Sequence, residues 1–361
     1  MDPNESVPST DLPLFGLNNP GNMCYLLSTI QVVIRLPKLK EYLYQVANTF
    51  CNPPENYQKD VQINARVGVF VQHLYTFLHA IRKNEALGFV TYELESLISV
   101  FCALTEFDYN QQQDAHECIC NNLLNNFLDD FCVDFEKKFR FTHTILDPFV
   151  SKNDQDQNTV NYMNKSFIRQ LIGGIKQSTL KGQNCGHSTQ RTEQFMELMV
   201  NMPKPKIPTD SVPLSACIAD HFQAEHMTDG EKWRCSECGD FVEAWKSEII
   251  THSPNIMIIV LKRFQTVNQQ GAAKDSTAVE IPLQNLDMSD YIADDGEHVY
   301  SCFAIVDHLG RTRGHGHYVS YINQGGKWFL FNDEKCYPFK IETETICTRE
   351  GYILFYKKKD F

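Results

Sequence analysis

The feature that most constrains this chain is a change of hydrophobic period partway along it. From Cys24 to about Asp130 apolar residues recur at helical spacing, in long segments such as Val67–Ile81 and Ala115–Phe131. Around Glu136–Val150 the pattern turns to alternation, and "SKNDQDQNTVNYMNKS" then reads as a loop. From Ser178 onward short strands and cysteine knuckles dominate, among them the β-prone run Ile256–Val260. The segment Gln265–Asp275 reads as a mobile loop, and the chain closes on the strand-like "GYILFYKKK". No internal repeat is present. Helices first and strands later make this an α+β chain.

Composition narrows the class. With 361 residues, 42% hydrophobic and 22% charged, the chain has ample core for one large domain or two ordinary ones. Residues 1–11 have no apolar signal core and read as a disordered leader, and no apolar run is long enough to span a membrane. A net charge of −12 argues against nucleic-acid binding and permits a basic protein partner. The 13 cysteines are odd in number and scattered, which suits reduced thiols of a cytoplasmic or nuclear protein. Cys102, Cys118 and Cys302 read as core filler from their apolar neighbours.

One cysteine stands apart. In "GLNNPGNMCYLLSTIQVV", Gly16 to Val33, turn residues precede Cys24 and an apolar run follows it. A helix beginning there places the thiol among partnerless N–H groups at the positive end of the dipole, which favours thiolate over thiol. A buried structural cysteine would look the same in isolation, but Asn19 could aim its amide at a developing oxyanion, and Gly21 allows close backbone approach.

A thiolate nucleophile needs a base. His317 lies in "RTRGHGHYVSYINQGGKWFLFNDEKCYPF", where Tyr318–Ile322 and Lys327–Phe331 read as the two strands of a hairpin. A two-residue loop at Gln324-Gly325 sets His317 opposite Asn332, and a three-residue loop sets it opposite Asp333. Either supplies a polar partner for the ring. His315 lies before the strand and reads as a decoy.

Together these residues look like a Cys-His-Asn/Asp triad, and the chain resembles the catalytic domain of ubiquitin-specific proteases, papain-like deubiquitinating enzymes. The resemblance rests on "GLNNPGNMCYLLSTIQ", on "QQQDAHE" (Gln111 to Glu117), on "NIMIIVLKRF", and on the region from Tyr300 to Tyr321 with "WFLFND" and "GYILFYKK". It covers Leu12 to Lys358. It implies that Cys24 is the nucleophile, His317 the general base and then acid, and Asn332 the acceptor of the ring Nδ1–H. Asp333 is then the neighbouring acidic position that assists or substitutes, Asn19 the side-chain oxyanion donor, and Asp114 a lining residue of the groove for the substrate tail. Asp114 could equally cap the helix Ala115–Phe131.

The implied fold is papain-like, with a thumb over about 12–130, fingers over about 165–262, and a palm formed by 131–164 and 263–361. The implied reaction is hydrolysis of the bond after ubiquitin's C-terminal glycine by a monomer that engages neither nucleic acid nor membrane. A catalytically weak ubiquitin-binding scaffold, or a protease for a ubiquitin-like modifier, is the alternative. The scaffold reading draws on two departures from the family pattern: Met23 where threonine is usual, and Leu27 where asparagine is usual. Cys118 also stands where phenylalanine is expected.

"WRCSECG" supplies Cys235 and Cys238 at a knuckle spacing that suits tetrahedral zinc. In the family an earlier cysteine pair completes the site. Here Cys185 matches the second place while Gly182 occupies the first, so His187 is the candidate fourth ligand of a structural zinc, and catalysis uses no cofactor.

Overall fold

The computed structural model describes residues 12–51, 65–83, 87–139, 143, 145–146, 157–205, 207, 210–228, 230–266, 272–293, 296–312 and 314–361. The leader expected at residues 1–11 lies outside them. The chain forms two compact units: Met1–Leu171 with Phe264–Lys274 and Phe303–Glu342, and Ile172–Arg263 with Asp275–Cys302 and Thr343–Phe361.

The first unit opens with the helix Cys24–Val33, all ten of whose residues are buried. Seven of them are apolar, and the buried Ser28, Thr29 and Gln31 side chains donate to the carbonyls of Tyr25, Leu26 and Phe15, so the helix can sit inside a core. Each buried Leu or Ile side chain contributes about 1.5–3 kcal/mol. Burial therefore fixes this helix, because Met23 at its N-cap makes no side-chain capping bond. Helices Leu39–Cys51, Ala65–Arg82 and Leu87–Leu104 follow. Phe70 stacks on Phe127 at 4.4 Å, Phe101 meets Phe107 at 5.3 Å, and Tyr25 meets Phe107 at 5.5 Å.

The expected helix over Ala115–Phe131 is present but wound differently. Glu117–Asp129 is π-helical, continuing as an α-helix over Asp130–Phe139. Glu136, anticipated at the start of an alternating stretch, is therefore helical. Most of the rest of that stretch lies outside the described residues. The stretch read as a loop after residue 150 contains the helix Gln157–Met163. Buried Met163 anchors it, and Tyr162 lies under the Arg169 guanidinium at 4.3 Å. Arg169 forms a bidentate pair with buried Asp129, Nε donating to Oδ1 and Nη2 to Oδ2.

The strands of this unit include His315–Gln324, Lys327–Asn332 and Lys335–Phe339, hydrogen-bonded in that order, with the later part of Val299–Thr312 beside the first. The segment read as a mobile loop is a hairpin at its ends: Phe264–Thr266 pairs antiparallel with Ala272–Lys274.

The second unit contains a four-stranded sheet in the order Ser188–Phe195, Gly174–Gly182, Ala244–His252, Glu225–Met227. Its core strand, Ile256–Leu261, is buried at all six positions between parallel Leu198–Val200 and antiparallel Gly351–Lys358. A continuous apolar run is what a strand covered on both faces requires. Arg263 just beyond it is fully buried and donates to the carbonyls of Asp275, Thr277, Thr348 and Gly351. Among the described residues every cysteine is a free thiol; Cys118 and Cys302 are buried as expected, whereas Cys102 is only half-buried.

Candidate active site

Asn19, Cys24, Gln112, Asp114, His317, Asn332 and Asp333 all belong to the first unit. Cys24 is the first residue of its helix and is 3% exposed. The turn before it is built by Asn19, whose Oδ1 accepts the N–H of Gly21 at 3.0 Å and of Met23 at 3.2 Å. Asn22 N–H donates to the Tyr109 carbonyl at 3.1 Å, and a Cβ on Gly21 would press on that same oxygen. Met23 and Leu27 are both buried, with Met23 Sδ accepting the Tyr25 hydroxyl at 3.6 Å. Cys118 is buried against the Thr29 hydroxyl at 3.5 Å.

The histidine hairpin turns at Gly325-Gly326, both at positive φ, with Gln324 paired to Lys327. Both loops anticipated from the sequence are therefore displaced. Continued down the ladder, this register sets Asn332 across from Val319, two residues from His317 on the same face. Such a diagonal neighbour is within side-chain reach, and His317 Nε2–H donates to Asn332 Oδ1 at 2.7 Å. The ring is thus held through Nε2 rather than Nδ1, which leaves Nδ1 for Cys24. His317 is pushed up to about 9: the hydrogen bond to Cys24 raises it most, burial opposes, and Asn332 and Asp333 add to the rise. His315 is exposed at the strand start.

Asp333 follows in a left-handed conformation, φ 47°, which Asp tolerates better than most residues. Its side chain meets Asn19, whose Nδ2 donates to Asp333 Oδ2 at 3.1 Å. Asp333 Oδ1 is buried without a hydrogen-bond partner. Leu17 N–H donates to the Asp333 carbonyl at 2.7 Å, and a Cβ on Gly16 would fall 2.0 Å from the Glu334 carbonyl carbon. Only glycine lets these two backbones approach so closely.

Asp114 is 4% exposed and its Oδ1 accepts the His116 N–H at 2.7 Å, so it caps the helix that follows. Two further residues escaped the sequence reading. Gln112 Nε2 donates to the Gly316 carbonyl and its Oε1 accepts the Gly316 N–H, each at 2.7 Å. It lies in "QQQDAHE", but three successive glutamines give no means of choosing among them. Arg35 is the second. Its guanidinium sits 4.5 Å over the Phe331 ring and donates to Gln324 Oε1 and the Pro13 carbonyl. Burial draws Arg35 down to about 10, with Cys336 opposing.

In the second unit, one ligand atom from each of Cys185, His187, Cys235 and Cys238 lies within 4.8 Å of the others. His187 Nδ1 is 3.3 Å from Cys238 Sγ and 3.6 Å from Cys235 Sγ. A Cβ at Gly182 would fall 2.4 Å from Cys185 Sγ, so that thiol fills the space a side chain at 182 would need. Gly186, φ 70°, makes the tight turn that returns His187 beside Cys185. Cys235 is drawn down to about 7: burial opposes this, and N–H groups of Cys238 and Glu237 directed at its sulfur prevail. Three thiols and an imidazole converging at this spacing fit a tetrahedral zinc.

Residues 15–356 match the model of a family described as ubiquitin carboxyl-terminal hydrolase. The chain is 29% identical over 355 residues to ubiquitin carboxyl-terminal hydrolase Usp2 of Drosophila melanogaster, covering 96% of this chain and 35% of that protein. It is 26% identical to ubiquitin carboxyl-terminal hydrolase 4 of Arabidopsis thaliana, covering 89% of this chain and 84% of that one. It shares its fold with a chain of the SAGA Ubp8/Sgf11/Sus1/Sgf73 DUB module bound to ubiquitin aldehyde, at a TM-score of 0.73 and 20% identity. That match covers 98% of this chain and 72% of the other.

Proposed function

Because the chain belongs to the ubiquitin carboxyl-terminal hydrolase family, we propose that it is a cysteine deubiquitinase. It would cleave the isopeptide or peptide bond after the C-terminal glycine of ubiquitin. The observation that carries this reading is one half-buried imidazole, His317, that engages Cys24 and Asn332 at once.

In the proposed cycle the Cys24 thiolate attacks the glycine carbonyl carbon, and the oxyanion that forms is met by donors around the Cys24 helix start. Asn19 keeps one amide hydrogen beyond the one given to Asp333, and it is the proposed side-chain donor. His317 then protonates the departing amine, leaving a thioester on Cys24. It next takes a proton from water, whose attack on the thioester releases the ubiquitin carboxylate and restores the thiolate–imidazolium pair. Asn332 holds the ring throughout by accepting from Nε2. Asp114 is proposed to line the groove for the tail in addition to its capping bond.

Cys185, His187, Cys235 and Cys238 would hold a zinc whose contribution is structural. We further propose ubiquitin conjugates as the substrate and a monomer in the cytoplasm or nucleus. No described helix is long and apolar enough to cross a membrane. The direct test is Cys24→Ala against a ubiquitin–fluorophore conjugate. Turnover should vanish while ubiquitin binding stays within a few-fold; undiminished turnover would end the assignment.

A further inference from the structure

We infer that Gln112 is a positioning residue for His317, acting as a one-residue substitute for a missing strand. The inference rests on the reading of His317 as the site's base.

Gln324 and Lys327 close a two-residue hairpin and exchange their backbone bonds, so even-numbered residues of His315–Gln324 turn their N–H and C=O toward Lys327–Asn332. That ladder ends at Ser320↔Phe331. Gly316, farther along, therefore points its N–H and C=O past the end of the neighbouring strand. On its other side the pairing is irregular too, with a register shift between Leu309 and Thr312.

The Gln112 carboxamide fills this gap, accepting from the Gly316 N–H and donating to the Gly316 carbonyl, both at 2.7 Å. A primary amide is the side chain that can both donate and accept at this spacing, as a peptide group does. Position 316 has no space for a side chain, since a Cβ there would lie 2.3 Å from His308 Nε2 and 2.8 Å from the Leu309 carbonyl oxygen. The backbone one residue before His317 is thus gripped on its edge by the Gln112 amide, with the His308 ring filling the place of a side chain at 316. Loss of the amide frees the strand end, and the imidazole with it, while the rest of the hairpin stays paired.

The test uses the full chain and two near-isosteric variants, Gln112→Met and Gln112→Glu. Turnover of a ubiquitin–fluorophore conjugate is measured beside the pH dependence of Cys24 alkylation by iodoacetamide, read by mass spectrometry of the Cys24 peptide. Rates are referred to the folded fraction. Gln112→Met should lower kcat by about 10- to 100-fold, leave KM within twofold, and shift the Cys24 alkylation profile. In Gln112→Glu the ionised carboxylate opposes the Gly316 carbonyl, but the neutral acid restores one donor and one acceptor. Its kcat relative to wild type should therefore rise as pH falls through that titration, a trend that lost packing would not produce. Wild-type kcat and alkylation in Gln112→Met, or a pH-independent ratio in Gln112→Glu, would overturn the inference. Cys24→Ala run in parallel separates the cases: if it keeps turnover, the functional reading has failed, whereas a dead Cys24→Ala beside unaffected Gln112 variants overturns the positioning role alone.

Discussion

Asn332 and Asp333 are adjacent in sequence yet hydrogen-bond to different partners, with the second in a left-handed conformation. Asn332 meets the His317 ring and Asp333 meets Asn19. Asn332→Ala should therefore cost more kcat/KM than Asp333→Ala, and the reverse order would make Asp333 the orienter. Asn19→Ala should lower kcat by about 10²–10³ with little change in KM. If Asp333 acts through Asn19, the double variant should lose no more than Asn19→Ala alone. His317 gives a pH signature. Its imidazolium persists to about 9 because Cys24 raises it, so the alkaline limb of kcat/KM should fall near there. In Cys24→Ala the His317 titration, followed by NMR, should move down. The residues themselves were legible, since turn chemistry marks Cys24 and a hairpin marks His317. The Asn19–Asp333 bond spans 314 positions, and no local pattern encodes it.

At the scale of elements, the hairpin shows what a sequence fixes and what it leaves open. "QGG" offers three possible turns, and the one adopted slides the strands without changing the face that Asn332 shares with His317. The register keeps the parity of the anticipated Gln324-Gly325 turn, shifted by an even total, and not that of the three-residue loop. The helix Gln157–Met163 was unreadable for another reason: seven residues with few apolar positions carry too little period to register. The helix Asp130–Phe139 carries a testable polar group. Glu136 Oε1 accepts from the Tyr42 hydroxyl at 3.1 Å and the Phe167 N–H at 3.2 Å. Burial nonetheless pushes Glu136 up to about 7. A carboxyl raised on folding stabilises the native state below its unfolded pKa and loses that contribution as pH rises through the folded one. Glu136→Gln keeps the acceptor oxygen and cannot ionise. Its melting temperature should exceed wild type at pH 8, with the gap narrowing toward pH 5; a constant gap would show that Glu136 is not titrating in this range.

At the scale of the whole molecule, the two units carry separate chemistry. The family pattern pointed to a cysteine where Gly182 stands, and Cys185 Sγ fills that space while His187 turns in beside it. Protein purified without chelator should contain about one zinc per chain, lost along with thermal stability in Cys235→Ser/Cys238→Ser. Metal-free protein of normal stability would show the knuckle to be vestigial. The α+β class was legible from the change of period, and the boundaries of the units were not, because strand Val299–Thr312 contributes residues to both. Whether Cys24 is the thiol that meets the C-terminus of ubiquitin is decided by covalent capture. Ubiquitin bearing an electrophilic C-terminal tail should form a one-to-one adduct, mapped by mass spectrometry to the Cys24 peptide and abolished in His317→Ala. An adduct on another cysteine, or none from folded protein, would contradict it.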